Sequence, residues 1–225
     1  MVLDQFSLKG KTAIVTGGEG LMGKMICETI RELNGMPVSI DITGEPEIIC
    51  DITNPNAILN LARNIQGASS GIDILVNNAV GNQQPVDNSA DGWVKDIDIG
   101  LTAAFNMVEA FRGKLSVVLN IGSDLGLVGP DQSLYPPWSV KPASYSVVKH
   151  GIIGLTRYIA ATYPDIRCNC LCPGGIDQGQ TVPKNILGRN ARLEEMKGPI
   201  AFLLSDASSF MTGSILTVDG GRTCL

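Results

Sequence analysis

At 225 residues, with 44% hydrophobic and 17% charged side chains, the chain suits one domain with a full-sized core. Its formal charge is −5 and it has no run of Lys and Arg, which excludes a nucleic-acid-binding class. The apolar runs are short and broken, as by Arg157 within Gly151–Ala161, so no segment is expected to span a membrane. The N-terminus lacks the basic, apolar, small-residue order of a secretory signal, which argues for the cytoplasm.

In chain order, Lys11–Thr16 is a short apolar run of β type that enters the turn Gly17-Gly18-Glu19-Gly20-Leu21-Met22-Gly23. The amphipathic stretch Leu21–Leu33 predicts a helix stopped at Asn34-Gly35, and Pro37–Asp41 predicts a second strand ending on an acid. Strand, glycine turn, helix, strand and acid is the order of a dinucleotide-binding unit. Glycines let the backbone approach a pyrophosphate, and the helix N-terminus offers N–H groups and a positive dipole end.

Further units follow. Glu47–Cys50 predicts a short strand before Asp51, Asn54–Gln66 a helix, and Ile72–Val76 a buried strand running into Asn77-Asn78-Ala79. Asp87–Arg112 predicts one long helix with room for a bend. Leu115–Ile121 predicts a strand leading to Gly122-Ser123, and Gly129–Lys141 reads as a proline-rich loop. Ser144–Tyr163 predicts a helix, Ile166–Leu171 a strand before Pro173-Gly174-Gly175, and Ile215–Val218 the last strand. Strands alternating with helices imply an α/β fold: a single Rossmann-type, doubly wound parallel sheet with helices on both faces. Ligands of such sheets bind outside the carboxyl ends of the strands, where Thr16, Asp41, Asp51, Asn77, Ser123 and Pro173 all fall.

Cys168, Cys170 and Cys172 alternate along one predicted strand and share a face, where they read as small apolar fillers in a reducing compartment. His150 is the only histidine, which leaves no metal-ligand cluster and no Ser-His-Asp triad. Tyr145 and Lys149 stand four apart on one helical face and can point into one pocket. A free tyrosine, with a pKa of about 10, is a poor base at neutral pH; a neighbouring ammonium favours the phenolate. Ser123 could supply a hydrogen bond to the oxygen whose proton Tyr145 gives or takes. Tyr135 is the rival tyrosine, but Ser139 follows it where a lysine is needed.

Taken together, Thr16-Gly17 with its turn, Asp51-Ile52, Asn77-Asn78-Ala79, Ser123, Tyr145-x-x-x-Lys149 and Pro173-Gly174-Gly175-Ile176 resemble the short-chain dehydrogenase/reductase family. Phe202–Ala207 and Val218-Asp219-Gly220-Gly221 extend the resemblance over essentially the whole chain. It implies Tyr145 as acid/base, Lys149 as its partner and ligand of the nicotinamide ribose, and Ser123 as the group orienting the substrate oxygen. It also implies that Gly17, Gly20, Leu21, Met22 and Gly23 line the pyrophosphate, and that Asp51 and Ile52 meet the adenine. Asn77, Asn78 and Ala79 would border the adenosine ribose, while Pro173, Gly174 and Ile176 would border the nicotinamide. Asp41 would accept from the adenosine 2′-OH and favour NAD over NADP. Repulsion of a 2′-phosphate there is worth a few kcal/mol, on the order of a hundredfold in affinity.

The chain departs from the family pattern at three residues and in the length of two segments. Leu21 stands at the middle glycine position, Gly100 at the place of the relay asparagine, and Gln178 at that of a threonine near the carboxamide. The segment from Gly174 to Phe202 is shortened, and that from Ser123 to Tyr145 lengthened. Polar residues across Asp177–Arg192 (Gln178, Gln180, Lys184, Asn185, Arg189, Asn190, Arg192) suggest a small-molecule substrate such as a sugar or sugar phosphate. Pro173–Gln180 and the long loop are similar to dehydrogenases of bacterial surface-glycan and flagellin-glycan pathways. The alternatives are a 3-oxoacyl-type reductase, a dinucleotide-binding regulator without turnover, and an epimerase or dehydratase re-using bound NAD. Family members often pair the helices matching Leu101–Arg112 and Ser144–Tyr163, which suggests a homodimer or homotetramer, with Phe105 and Tyr158 as interface candidates.

Overall fold

The computed structural model describes residues 1–66, 71–81, 89–134, 141–179 and 184–225. Seven strands lie in one sheet: β1 (Thr12–Thr16), β2 (Met36–Asp41), β3 (Ile48–Ile49), β4 (Ile74–Asn77), β5 (Val117–Ile121), β6 (Arg167–Pro173) and β7 (Ile215–Val218). Their order is β3-β2-β1-β4-β5-β6-β7, and every neighbouring pair is parallel. The order reverses between β1 and β4, so connections leave that point in opposite directions and open a crevice at the strand carboxyl ends.

The two faces follow from the period-two alternation of apolar residues. Ile14, Leu75, Val118 and Cys168 face one layer, formed by α2 (Pro55–Gln66), α4 (Ala103–Phe111) and α5 (Ala143–Thr162). Ala13, Val15, Val76 and Leu119 face the other, formed by α1 (Leu21–Glu32) and α6 (Lys197–Leu204). Pro37 is tolerated inside β2 because β3 pairs only with Ile40 and Asp41, so no partner needs a proline N–H. Among the described residues, no helix is long and apolar enough to cross a membrane.

Two elements differ from the sequence expectation. The long helix is divided: α3 (Ala90–Ile97), a π-helical turn at Asp98–Thr102, then α4. Its described start is capped by Ser89, whose hydroxyl accepts from Gly92 N at 3.1 Å; the expected beginning at Asp87 lies outside the described residues. The π turn coincides with close contact between helices. A Cβ on Gly100 would sit 2.3 Å from Val148 Cγ1, and one on Gly151 would sit 2.7 Å from Leu101 Cδ1. The second difference is α6, which carries Gly198 and Pro199 in its first turn and an almost wholly apolar remainder, so it shows no helical stripe.

The Gly100–Val148 contact makes a direct prediction. Gly100→Ala gains about 1 kcal/mol of helix propensity but overpacks against a stiff β-branched side chain, for a net loss of about 1–2 kcal/mol. Adding Val148→Ala should restore most of the loss, read as the urea unfolding midpoint.

Candidate active site

The crevice starts at the end of β1. Thr16 Oγ1 donates to Val76 O at 3.3 Å and accepts from Asn78 N and Ala79 N at 3.1 and 3.2 Å. Asn78 Nδ2 returns to Thr16 O and Gly17 O, both at 3.0 Å. The ends of β1 and β4 are thereby fastened, and the glycine turn rises from them. Gly17 has φ 63°, and a Cβ on it would lie 2.8 Å from Ala79 Cα, so two constraints demand glycine. At Gly23 a Cβ would lie 2.1 Å from Gly17 O, where α1 packs against the turn. Gly20 is the N-cap residue of α1, and Leu21, half exposed, is its first helical residue. The turn remains a cradle of bare backbone at a helix N-terminus, the form a pyrophosphate needs.

Asp41, at the end of β2, faces this turn: Oδ2 accepts from Glu19 N at 3.0 Å and Oδ1 from Ile42 N at 2.8 Å. Glu19 brings a second carboxylate to the same corner, paired with Lys24 at 3.2 Å. No pattern in the sequence singles out Glu19. Asp51 is exposed and its carboxylate accepts from Thr53 N and Oγ1 at 2.9 and 2.7 Å, while Ile52 beside it is buried. Asn77 turns its amide inward, Nδ2 donating to Asn120 Oδ1 at 2.8 Å. Its buried Oδ1 has no partner among the described residues. A cradle that side chains would fill and an orphaned acceptor beside it fit a dinucleotide.

At the other end of the crevice, Ser123 follows β5 through Gly122, where a Cβ would strike Cys172 Sγ at 2.7 Å and Cys170 Sγ at 2.8 Å. Ser123 is buried; its Oγ donates to Asp124 Oδ1 at 2.8 Å and accepts from Leu125 N at 3.1 Å. The turn it begins lies directly on α5, since a Cβ on Gly126 would be 2.3 Å from Lys149 O. Lys149 is buried and its Nζ donates to Ile121 O at 2.8 Å. Burial lowers the Lys149 pKa from 10.5 to about 8; the neighbouring Cys170 and Cys172 oppose this, and Lys141 adds to it.

Tyr145 is half buried, with Lys149 Nζ 5.6 Å and Lys141 Nζ 4.2 Å from its ring centroid. A phenol with two ammoniums within 6 Å of its ring centroid can move a proton at a substrate oxygen. Two supports were not legible in the sequence. Ser144 Oγ donates to the buried Asp96 at 2.5 Å, tying α3 to the first turn of α5. Arg222, near the C-terminus, reaches Asp124 Oδ2 at 2.6 Å, with both side chains largely buried. No local pattern marks either pair, because the partners are 48 and 98 residues apart.

Pro173 ends β6, and a Cβ on Gly174 would approach Asp219 Cα to 2.8 Å; Ile176 bridges to Ala191. Much of the polar Asp177–Arg192 segment is internally bonded: Arg189 forks onto Glu195 at 2.6 and 2.7 Å, and Asn185 Nδ2 donates to Arg189 O. Gln180 and Tyr135 lie outside the described residues. A cavity of about 10 Å³, room for roughly one water, lies between Gly100, Lys149, Thr16 and Asn77. The thiols of Cys168, Cys170 and Cys172 are fully buried, and burial pushes Cys168 up to about 12.

Comparison with known proteins agrees with this fold. Residues 36–223 match a family model described as enoyl-(acyl carrier protein) reductase. The chain belongs to the short-chain dehydrogenase/reductase family. A 3-oxoacyl-[acyl-carrier-protein] reductase of Chlamydia trachomatis is 28% identical, over 96% of this chain and 89% of that protein. A short-chain dehydrogenase of Leptospira borgpetersenii, solved with NAD+, is 27% identical with TM-score 0.86, covering 96% of this chain and 94% of that one. A Beutenbergia cavernae chain solved with NADP is 26% identical with TM-score 0.82, covering 98% of this chain and all (100%) of that one. This protein is accordingly an NAD(P)-linked oxidoreductase of hydroxyl and carbonyl groups.

The depressed pKa of Lys149 sets a pH dependence. Between about pH 8 and 10.5 the unfolded chain binds a proton at this lysine that the folded chain does not. Its contribution to stability therefore rises with pH across that window, by an amount on the order of 3 kcal/mol. The stability difference between wild type and Lys149→Met, measured by chemical denaturation of cofactor-free protein, should shift by that order from pH 8 to 10.5.

Proposed function

We propose that this chain uses NAD to interconvert a hydroxyl and a carbonyl on a small polar substrate, with Tyr145 as the acid/base. The observation that carries the reading is the Tyr145 ring with the Lys141 and Lys149 ammoniums 4.2 and 5.6 Å from its centroid, on the helix against which the turn after Ser123 packs. When bound, the dinucleotide supplies or accepts the hydride. Gly17, Gly20, Leu21, Met22 and Gly23 hold its pyrophosphate through backbone N–H groups, and Lys149 holds the nicotinamide ribose. Asp51 and Ile52 border the adenine, Asn77, Asn78 and Ala79 the adenosine ribose, and Pro173, Gly174 and Ile176 the nicotinamide. Tyr145 gives or takes the proton on the substrate oxygen, and Ser123 orients that oxygen.

NAD is preferred to NADP because Asp41 and Glu19 place two carboxylates at the corner where a 2′-phosphate would sit. A water in the cavity beside Gly100 and Lys149 takes the place of the relay asparagine. A polar, sugar-like substrate is the first choice. A 3-oxoacyl-type reductase is the second reading, favoured by the Chlamydia relative. The working protein is a cytoplasmic homodimer or homotetramer paired through α4 and α5. Phe105 and the exposed Tyr158 on those helices meet in a tilted arrangement, with ring planes at 59° and centroids 6.5 Å apart.

Tyr145→Phe should keep NADH affinity and lower turnover by about 10²–10⁴-fold; wild-type turnover in this variant would reassign the acid/base. In parallel fluorescence titrations, wild type should bind NADH far more tightly than NADPH, and Asp41→Ala should narrow the gap. An unchanged ratio would mean that another group reads the ribose.

A further inference from the structure

The Ser123 hydroxyl needs a fixed direction if it is to orient a substrate oxygen. A serine hydroxyl has one hydrogen and two lone pairs. Here the hydrogen goes to Asp124 Oδ1 at 2.8 Å, and one lone pair takes the Leu125 N–H at 3.1 Å. The second lone pair is left to align a substrate hydroxyl. Its direction is set by where the Asp124 carboxylate stands. That carboxylate needs a restraint of its own, because the last torsion of an aspartate is broad.

Arg222 supplies that restraint. Its Nη1 donates to Asp124 Oδ2 at 2.6 Å, while Oδ1 accepts from Ser123 Oγ and Leu125 N, so the two carboxylate oxygens have separate partners. Both side chains of the pair are largely buried, and a hydrogen bond between ionised groups is a strong one. Arg222 is itself launched from a held turn. Gly221, at φ 82°, is the N-cap residue of the turn Arg222–Cys224, and the Asp219 carboxylate accepts from Gly221 N and Thr223 N at 2.9 and 2.8 Å. A Cβ on Gly174 would come within 2.8 Å of Asp219 Cα, so this turn rests on the chain just past β6. A buried pair kept for stability alone would gain little over two apolar side chains of similar size.

We propose that Arg222 is a positioning residue for the reaction: by holding the Asp124 carboxylate it fixes the Ser123 hydroxyl and the lone pair that meets the substrate. This rests on the reading that places Ser123 at the reacting oxygen. Arg222 acts through two side chains, from a point 98 residues along the chain from Asp124. Its loss lowers kcat more than it weakens substrate binding, because alignment counts most in the transition state.

The test sets turnover against stability. NADH release from NAD+ is measured with D-glucose, D-gluconate, D-glucitol and D-glucose 6-phosphate, and the best of these serves for the variants. The apolar pair Asp124→Leu/Arg222→Met should unfold at the wild-type urea midpoint or above it. Its kcat should nonetheless fall by about tenfold to a hundredfold, with NADH affinity unchanged. Arg222→Gln should show a smaller loss of the same kind, and Arg222→Lys should restore most of it. Adding Ser123→Ala to Arg222→Gln should cost no more than Ser123→Ala alone, because both remove one function. Wild-type kcat in the apolar pair overturns the proposal, and so do losses that multiply with Ser123→Ala. A second measurement needs no substrate. In protein whose aspartates carry carbon-13 at the side-chain carboxyl, the Asp124 signal is assigned by its loss in Asp124→Asn. Ser123→Ala should move that signal in the wild-type background and leave it in place in the Arg222→Gln background; equal movement in both overturns the proposal. If wild type turns over none of the four compounds, the small-polar-substrate reading falls, and the carboxyl signal decides whether Arg222 holds Ser123.

Discussion

The fastening of β1 to β4 through Thr16 and Asn78 is the constraint on which the remaining geometry depends. At a reversal of strand order, neighbouring connections diverge and the backbone groups at the strand ends lose their ladder partners. Here one hydroxyl and one carboxamide satisfy those groups, bonding Asn78 N, Ala79 N, Thr16 O and Gly17 O. With the strand ends fixed, the glycine turn has one position over Ala79, and Asp41 faces it from the β2 side, accepting from Glu19 N. A mobile crevice would offer the same residues without a common geometry.

The second half of the site is built on Lys149. A buried ammonium is costly unless a partner receives it, and Ile121 O does so at 2.8 Å. That bond ties α5 to the end of β5, two residues before Ser123. Gly126, lacking a side chain, lets the turn after Ser123 rest on the Lys149 backbone. Ser123 and the helix of Tyr145 are therefore brought together by one charged side chain and one missing one. The Ser144–Asp96 bond adds a third tie from α3.

Much of this was legible in the sequence, for a physical reason. Strand periodicity, the glycine turn and the four-residue spacing of Tyr145 and Lys149 are local properties, and the structure keeps each of them: β1, α1, β2 and α5 begin and end within a residue or so of the expected bounds. The π turn at Gly100 was not legible, because it answers to Val148 on another helix. The polar Asp177–Arg192 segment invited a substrate reading, yet the Arg189–Glu195 fork and the Asn185 bond spend several of its groups internally. Composition reports which groups a loop carries and cannot report which of them are already satisfied.

The same limit explains why the charge balance of the site emerges only in three dimensions. In sequence Asp124, Lys141 and Arg222 are unremarkable single charges in an acidic protein. Folded, Arg222 pairs with Asp124 at 2.6 Å, with both side chains largely buried. Asp124 Oδ1 in turn accepts the hydrogen bond that the Ser123 hydroxyl donates, leaving Ser123 Oγ with an acceptor site to offer. A buried ion pair contributes little net stability against well-packed apolar residues. Its retention beside the reacting groups is better accounted for by what it does to its neighbours. It holds the Asp124 carboxylate in place, and that carboxylate orients the Ser123 hydroxyl.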